Sequence, residues 1–283
     1  MTSLRFAVLG DPIAHSRSPA MHRAAYAALG LPHVYDALRV AADELPGAVG
    51  DLRRNAFAGL NITVPHKRSV LSLVDEVAPS AVSVGAANTL VRSPSGTVIA
   101  HNTDAPALAQ ELRDLAGPGA GWADSRALVI GSGGAALAAV AALAELGTAE
   151  IAVRARSFSV ADRRDAFVRA ARVPIVTERW QADSVGERAT RAVVQATSAG
   201  MAGADPGEAV ASVVDWEALS DGTVVFDVVY SPRDTPFLSA ARRRGLRSVG
   251  GIGMLARQGA LAFEAWLDRP APFEVMRAAL DRP

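Results

Sequence analysis

There is no cysteine in this chain of 283 residues. That removes disulfides, thiolate nucleophiles and Cys-ligated zinc or iron–sulfur centres from consideration. The five histidines show no HExxH or related ligand spacing, so no metal site is expected. Net charge is also missing, 29 basic residues balancing 29 acidic ones, and with it any global field suited to nucleic acid or an anionic membrane. Lysine is nearly absent. Of the 29 basic residues only Lys67 is one, and an ammonium, unlike a guanidinium, is a compact point charge able to take part in proton transfer. The first residues, Met1-Thr-Ser-Leu-Arg-Phe-Ala-Val-Leu-Gly10, lack a basic stretch followed by a long apolar run, which reads as a cytoplasmic protein. One uncharged run, Ala127 to Ala144, approaches the length of a membrane span, but Gly131-Ser-Gly-Gly134 interrupts it and strand, turn and helix is the better expectation.

What the chain does have is 50% hydrophobic residues, enough for a substantial core in one large or two ordinary domains. Apolar runs predict strands over 5–10, 34–40 and 57–62, with helices over 18–30, 43–54 and 65–77 between them. Asn88 to Arg92 and Val98 to Asn102 flank Ser93-Pro-Ser-Gly-Thr97, which predicts a hairpin. A helix opens at Thr103-Asp104. The cluster Gly117-Pro-Gly-Ala-Gly121 then separates a second alternation: strands over 127–130, 150–154, 174–177, 191–196 and 223–229, helices over 135–146 and 160–172. Near-continuous apolar strands separated by helices imply a parallel sheet covered on both faces. A long amphipathic helix from Met254 to about Asp268 has no strand left to pair with it and is expected to return to the first unit. Arg242, Arg243 and Arg244 before Gly245 read as a solvated helix end. The fold class is α/β: an N-terminal open, mostly parallel domain (1–105 with 254–283) and a Rossmann-like domain (106–253).

Two sets of residues carry chemistry. Gly131-Ser132-Gly133-Gly134-Ala135-Ala136 fits G-x-G-x-x-A between a strand and a helix, where backbone can approach a pyrophosphate at the helix N-terminus. The alternative is a merely structural tight turn. The next strand ends Val153-Arg154-Ala155-Arg156-Ser157, with no acid for a free ribose and two arginines that suit a 2′-phosphate, favouring NADP over NAD; solvated loop arginines are the other option. In the first unit Ser16, Ser18, Asn61, Thr63, Lys67, Asn88 and Asp104 sit at strand ends and helix starts, where small polar ligands bind in open α/β sheets. Taken singly, Ser18 before Pro19 and Asp104 before Ala-Pro are N-caps, while Asn88 and Asn102 could satisfy turns or backbone.

Together these pieces resemble the shikimate dehydrogenases. The matching segments are Gly10-Asp-Pro-Ile-Ala-His-Ser-Arg-Ser-Pro19, Gly59-Leu-Asn-Ile-Thr-Val-Pro-His-Lys67, Gly85-Ala-Ala-Asn-Thr89, Asn102-Thr-Asp104, the Gly131 turn, Ala196-Thr-Ser-Ala-Gly200, Tyr230 with Thr235-Pro-Phe237, and Gly251-Ile-Gly-Met-Leu255 with Gln258. They run in family order over nearly the whole chain. The resemblance implies reversible reduction of 3-dehydroshikimate to shikimate with NADPH, in chorismate and aromatic amino acid biosynthesis. It implies that Ser16 and Ser18 hold a carboxylate, that Asn61, Thr63, Asn88, Asp104 and Gln258 hold ring hydroxyls, and that Tyr230 lies beside the substrate. Lys67 and Asp104 would be the catalytic pair. The cofactor residues would be Gly131, Ser132, Gly133, Gly134, Ala135, Arg154, Arg156, Ser157, Thr197, Gly251 and Met254.

Three positions depart from the family pattern. The asparagine and a later basic residue of its nucleotide loop are replaced by Ala155 and Val160, and Gln195 stands where an asparagine often precedes Ala-Thr-Ser, a change expected to matter less. Alternatives are an NAD-using quinate or shikimate dehydrogenase, a non-catalytic dinucleotide-binding regulator, and a folate-type dehydrogenase, which would not need the serine pair. The expected partner is a small-molecule substrate, with no nucleic acid or membrane; a homodimer is left open.

Overall fold

The computed structural model describes residues 2–281, which divide into two compact units, 2–104 with 255–281 and Ala105–Met254. The first begins with β1 (Arg5–Gly10), whose residues Phe6 to Leu9 are all buried, the pattern of a strand covered on both faces. α1 (Ser18–Ala28), β2 (Val34–Arg39), α2 (Leu45–Arg53), β3 (Gly59–Ile62), β4 (Glu76–Val77), α3 (Pro79–Val84), β5 (Thr89–Arg92) and β6 (Val98–His101) follow. The sheet order is β2-β1-β3-β5-β6-β4, parallel except at β5, which runs against both β3 and β6.

The expected helix over 65–77 does not form. Ser69 and Ser72 turn their hydroxyls back onto the carbonyls of His66 and Ser69 (3.2 and 2.9 Å), and the segment tightens into a 3₁₀ turn at Ser69–Ser72 before entering β4. The short α3, which propensity alone did not mark, starts on Pro79 and ends at Gly85 in the left-handed region (φ 71°). One face of the sheet is aliphatic, with Leu9, Leu52, Leu60, Leu90 and Val98 buried together. Its other side carries an aromatic cluster of Phe6, Tyr26, Tyr35 and Trp266. A β-carbon at Gly59 would collide with the Trp266 indole, whose Nε1 donates to the Leu90 carbonyl at 2.9 Å, so glycine is required there by close approach.

α4 (Asp104–Ala116) leads into the second unit: β7 (Arg126–Ile130), α5 (Gly134–Glu145), β8 (Glu150–Arg154), α6 (Ala161–Ala170), β9 (Val176–Glu178), α7 (Ser184–Arg188), β10 (Thr190–Gln195), α8 (Glu208–Ala211), β11 (Val224–Asp227), α9 (Pro236–Arg243) and β12 (Arg247–Gly250). The six strands are parallel in the order β12-β11-β10-β7-β8-β9. The order reverses between β7 and β10, the point at whose carboxyl side ligands bind in open α/β sheets. The uncharged stretch 127–144 is β7, the glycine turn and α5, and among the described residues no helix is long and apolar enough to cross a membrane. α10 (Ile252–Leu267) and α11 (Phe273–Ala279) complete the chain, and α11 packs against α1 within the first unit.

Candidate active site

In the first unit the polar residues singled out above lie at the carboxyl ends of β1, β3 and β6 and at the start of the antiparallel β5. β3 delivers Asn61, and the chain beyond it delivers Lys67, whose carbonyl accepts the Ala87 amide at 2.7 Å. Lys67 Nζ lies 2.7 Å from Asp104 Oδ2. The other oxygen of that carboxylate accepts from Asn88 Nδ2 at 2.9 Å. Asp104 is therefore no N-cap: both of its oxygens point to side chains across the unit. The same Asn88 amide reaches Thr103 Oγ1 (2.9 Å) and Gln258 Oε1 (3.3 Å), three acceptors for two protons, of which Gln258 is the most distant. Its own oxygen accepts the Thr103 backbone N–H at 2.8 Å. Lys67 and Asp104 side chains keep 16% and 7% of their surface, so the pair is shielded yet reachable.

Asn61 is held from both sides. Its amide donates to the Asn88 carbonyl (3.0 Å) and Thr89 Oγ1 (3.1 Å), while its oxygen accepts the Tyr35 hydroxyl at 2.6 Å, leaving one lone pair for a ligand. Tyr35 is fully buried and stacked on His22, ring centroids 4.2 Å apart and 6° from parallel. Burial raises the Tyr35 phenol well above its ordinary range and pushes the His22 pKa down to about 3, so both stay neutral at physiological pH. No sequence signal marked Tyr35. Ser18 is the first residue of α1, and the N-cap is Arg17, with no side-chain cap. Capping therefore does not explain Ser18. Ser16 Oγ accepts the Ser18 amide at 3.3 Å, which leaves its hydroxyl proton free to donate. Thr63 is half-buried on the segment following β3. Asn102 takes the role of backbone partner, donating to the Ala86 carbonyl at 2.9 Å.

In the second unit, Gly131 adopts φ 129° and a β-carbon there would lie 2.9 Å from the Ala196 carbonyl oxygen, a position only glycine tolerates. Around Gly133, the N-cap of α5, there is open space, which leaves the start of this helix accessible to a ligand; helix N-termini favour phosphate groups. Thr197 packs its methyl toward Gly131, and Ser157 Oγ meets Ser132 Oγ at 2.7 Å, joining the β8–α6 loop to the glycine turn. Arg156 is 75% exposed and paired at 3.1 Å with Asp205. Gly251 sits against the Val228 backbone, too close for any side chain, and Met254 is buried. Tyr230 is half-buried in the loop after β11.

Arg154 requires correction. It is fully buried, its guanidinium bonded to Glu178 (2.6 Å), Glu187 (2.9 Å) and the Val213 carbonyl, and Glu178 is shared with Arg126. No N–H edge is left to grip a phosphate in solvent. A fully desolvated guanidinium is tolerated only because carboxylates surround it. The signal was in the strand: residues 150, 152 and 154 share one face of β8, and Ala152 is buried. Gln195 also matters more than expected. Fully buried, it donates to the Ala199 carbonyl (3.0 Å) and Asp227 Oδ1 (3.2 Å) and accepts the Thr197 amide, so it shapes the loop that bears Thr197. Asp227 accepts in addition from Thr235 Oγ1 (2.6 Å) and the Val229 amide (2.9 Å), and burial raises its pKa to about 6.

A parallel sheet with a glycine turn shaped for a dinucleotide, and an α/β unit bearing a shielded lysine–carboxylate pair, define a class: the nicotinamide-dependent oxidoreductases of α/β architecture. Residues 8–90 match the shikimate dehydrogenase substrate binding domain, and residues 251–280 match the shikimate 5′-dehydrogenase C-terminal domain. The NADP(+) shikimate dehydrogenase of Symbiobacterium thermophilum is 38% identical over 276 residues, covering 96% of this chain and 92% of that protein. The crystal structure of shikimate 5-dehydrogenase from Thermus thermophilus with NADP(H) and shikimate superposes with a TM-score of 0.81 at 37% identity, covering 99% of each chain. The ligand-free 5-ketofructose reductase of a Gluconobacter strain gives a TM-score of 0.84 at 30% identity, again covering 99% of each. The chain belongs to the shikimate dehydrogenase family.

Proposed function

We infer that this protein catalyses the NADP-dependent interconversion of 3-dehydroshikimate and shikimate, on the strength above all of the Lys67–Asp104 contact at 2.7 Å. Residues 1–105 with 254–283 serve the substrate and 106–253 the dinucleotide. In the direction of reduction NADPH held by the second unit would supply the hydride for the ketone carbon. The ketone oxygen becomes an alkoxide, and the Lys67 ammonium neutralises that charge and yields the proton that completes the alcohol. Asp104 holds the ammonium with one oxygen and, through Asn88, is itself held with the other. A substrate hydroxyl entering here takes the place of the long Asn88–Gln258 contact, so Asn88 and Gln258 become ligands without the loss of a short bond. Thr63 and Asn61 supply further hydroxyl contacts, and Ser16 and Ser18 the carboxylate contacts.

The cofactor is gripped by the cradle from Gly131 to Ala135, by Ser157 and Thr197 beside it, and by Gly251 and Met254 near the nicotinamide; Arg156 takes the 2′-phosphate. The setting this implies is the cytoplasm, where biosynthetic dehydrogenases draw on NADPH. The test is an initial-rate assay following nicotinamide absorbance with shikimate and NADP, repeated with quinate, 5-ketofructose and NAD. Turnover of shikimate at a rate well above the others supports the reading; no turnover of shikimate with either cofactor overturns it.

A further inference from the structure

The end of β8 carries no acid to accept from a free ribose, but the folded chain supplies one from elsewhere. Asp205 lies in the turn between β10 and α8, and its Oδ2 sits 3.1 Å from Arg156 Nη2. Its position is fixed by backbone: the Gly200 amide donates to the Asp205 carbonyl at 2.8 Å, and the Ala204 amide donates to the Met201 carbonyl at 3.0 Å. A continuous set of contacts leads from the glycine turn to this carboxylate: Ser132 to Ser157, its neighbour Arg156, and Arg156 to Asp205. With Arg154 sequestered, Arg156 has no help from its nearest cationic neighbour in sequence.

We propose that Asp205 sets the cofactor selectivity of this protein, by occupying Arg156 in the free chain and by offering a free 2′-hydroxyl the acceptor that β8 lacks. The inference rests on the assignment of Arg156 as the phosphate anchor. A 2′-phosphate brings about 1.5 to 2 negative charges, so it must displace Asp205 from Arg156 and then sit beside a like charge. A ribose hydroxyl meets no such obstacle and donates to the carboxylate, as it does to the acid of an NAD-selective site. Both side chains are largely exposed, 75% and 67%, so the effect is modest and screened by salt.

Asp205→Asn removes the charge and keeps the shape. Binding of NADPH and of NADH, followed by nicotinamide fluorescence, and kcat/KM for shikimate with NADP and NAD are measured at low and high salt, with Asp205→Ser as a second variant. The expected result is a rise in the NADP:NAD ratio of roughly three- to fivefold at low salt, with better NADP use as well as poorer NAD use, shrinking at high salt. Improvement on one cofactor is an outcome that misfolding cannot imitate. In an Arg156→Ala background the same substitution should bring a smaller gain with NADP, because only the like-charge repulsion is then left to relieve. An unchanged or lowered ratio in both Asp205 variants overturns the proposal, as does unchanged selectivity in Arg156→Ala, which removes its anchor. If the binding ratio shifts as stated but shikimate is not turned over, the selectivity role stands and the assigned reaction falls.

Discussion

Lys67 and Arg154 are both cations held by carboxylates at hydrogen-bond distance in the interior of an α/β unit, and they do opposite things. Arg154 meets two glutamates and a carbonyl, is fully buried, and belongs to a network in which Arg126 is bonded to Glu150 (2.7 Å), Glu178, the Gly186 carbonyl (3.0 Å) and Thr190 (2.7 Å). Lys67 meets Asp104 and retains a sixth of its side-chain surface. What separates them is residual hydrogen-bonding capacity. An ammonium with one partner still has protons to give, and a ligand oxygen can reach it; a guanidinium bonded along its edges, under α7 and against β9, can only brace the fold. Charge and burial alone mark neither as functional.

The comparison can be broken most forcefully at Arg154. Arg154→Ala strands Glu187 and half of Glu178, and should cost about 3–5 kcal/mol of stability, seen as a lower denaturation midpoint, while the NADP:NAD ratio of the protein that remains folded is unchanged. The sharper form is the pair Arg154→Leu with Glu187→Leu, which should recover much of that loss because Glu187 leaves with its partner and Glu178 keeps Arg126. A shift in cofactor ratio for either variant would return Arg154 to the phosphate site.

Next in size is Lys67. Lys67→Ala should lower kcat by about 100-fold or more, roughly 2.7 kcal/mol, with a much smaller change in KM and a smaller loss of midpoint than Arg154→Ala, because Asn88 still donates to Asp104. Lys67→Arg should be nearly as poor, since a guanidinium keeps the charge but gives up no usable proton. Near-normal kcat in Lys67→Arg would show that charge suffices.

Asp227 gives a smaller contrast and a pH signature. Burial raises this carboxyl from 3.8 to about 6, so the folded protein holds a proton that the unfolded chain has released. The resulting stability is fully present below about pH 4 and lost as pH rises toward 6. Above that, the buried carboxylate costs roughly 3 kcal/mol. In Asp227→Asn the carbonyl can keep the Val229 and Gln195 contacts and the amide can donate to Thr235 Oγ1. The variant should therefore be more stable than the parent by roughly 1–2 kcal/mol at pH 8, part of that burial cost, with the difference fading by pH 4.5. A thermal melt at the two pH values decides it; equal loss of stability at both would mean that the ionised group is not the source. The mildest effects belong to Ser16→Ala and Ser18→Ala, about 10-fold in KM for shikimate through a charge-assisted hydrogen bond. That increase should nearly vanish for an analogue without the carboxylate.

Much of this was legible in the sequence where local pattern and chemistry coincide. The singular Lys67, the glycine turn and the Asn88–Asp104 constellation were readable because each needs a particular residue type at a particular strand end. The 3₁₀ turn at Ser69–Ser72 was hidden because serine hydroxyls compete locally with the helix in a way that hydrophobic spacing does not record. Arg154, Tyr35 and Asp205 were misread or unseen for a different reason. Their roles depend on hydrogen-bond partners 24 to 59 residues away in the chain, and pairing at that range is settled by topology, not by neighbours.

The first unit is assembled from two stretches of chain separated by the whole of the second, and this orders events during synthesis. Residues 105–254 can close their all-parallel sheet while translation continues. The sheet of the first unit is complete in sequence by His101, but it must wait 165 residues for the Trp266 indole that lies over Gly59 and longer for α11, which packs on α1. At roughly 5–20 residues per second, that leaves the aromatic face of the earliest-made strands uncovered for on the order of ten seconds or more. A nascent chain of this kind therefore offers chaperones a long-lived target in β1 to β3, and a lesion in α10 or α11 is felt in strands made long before it.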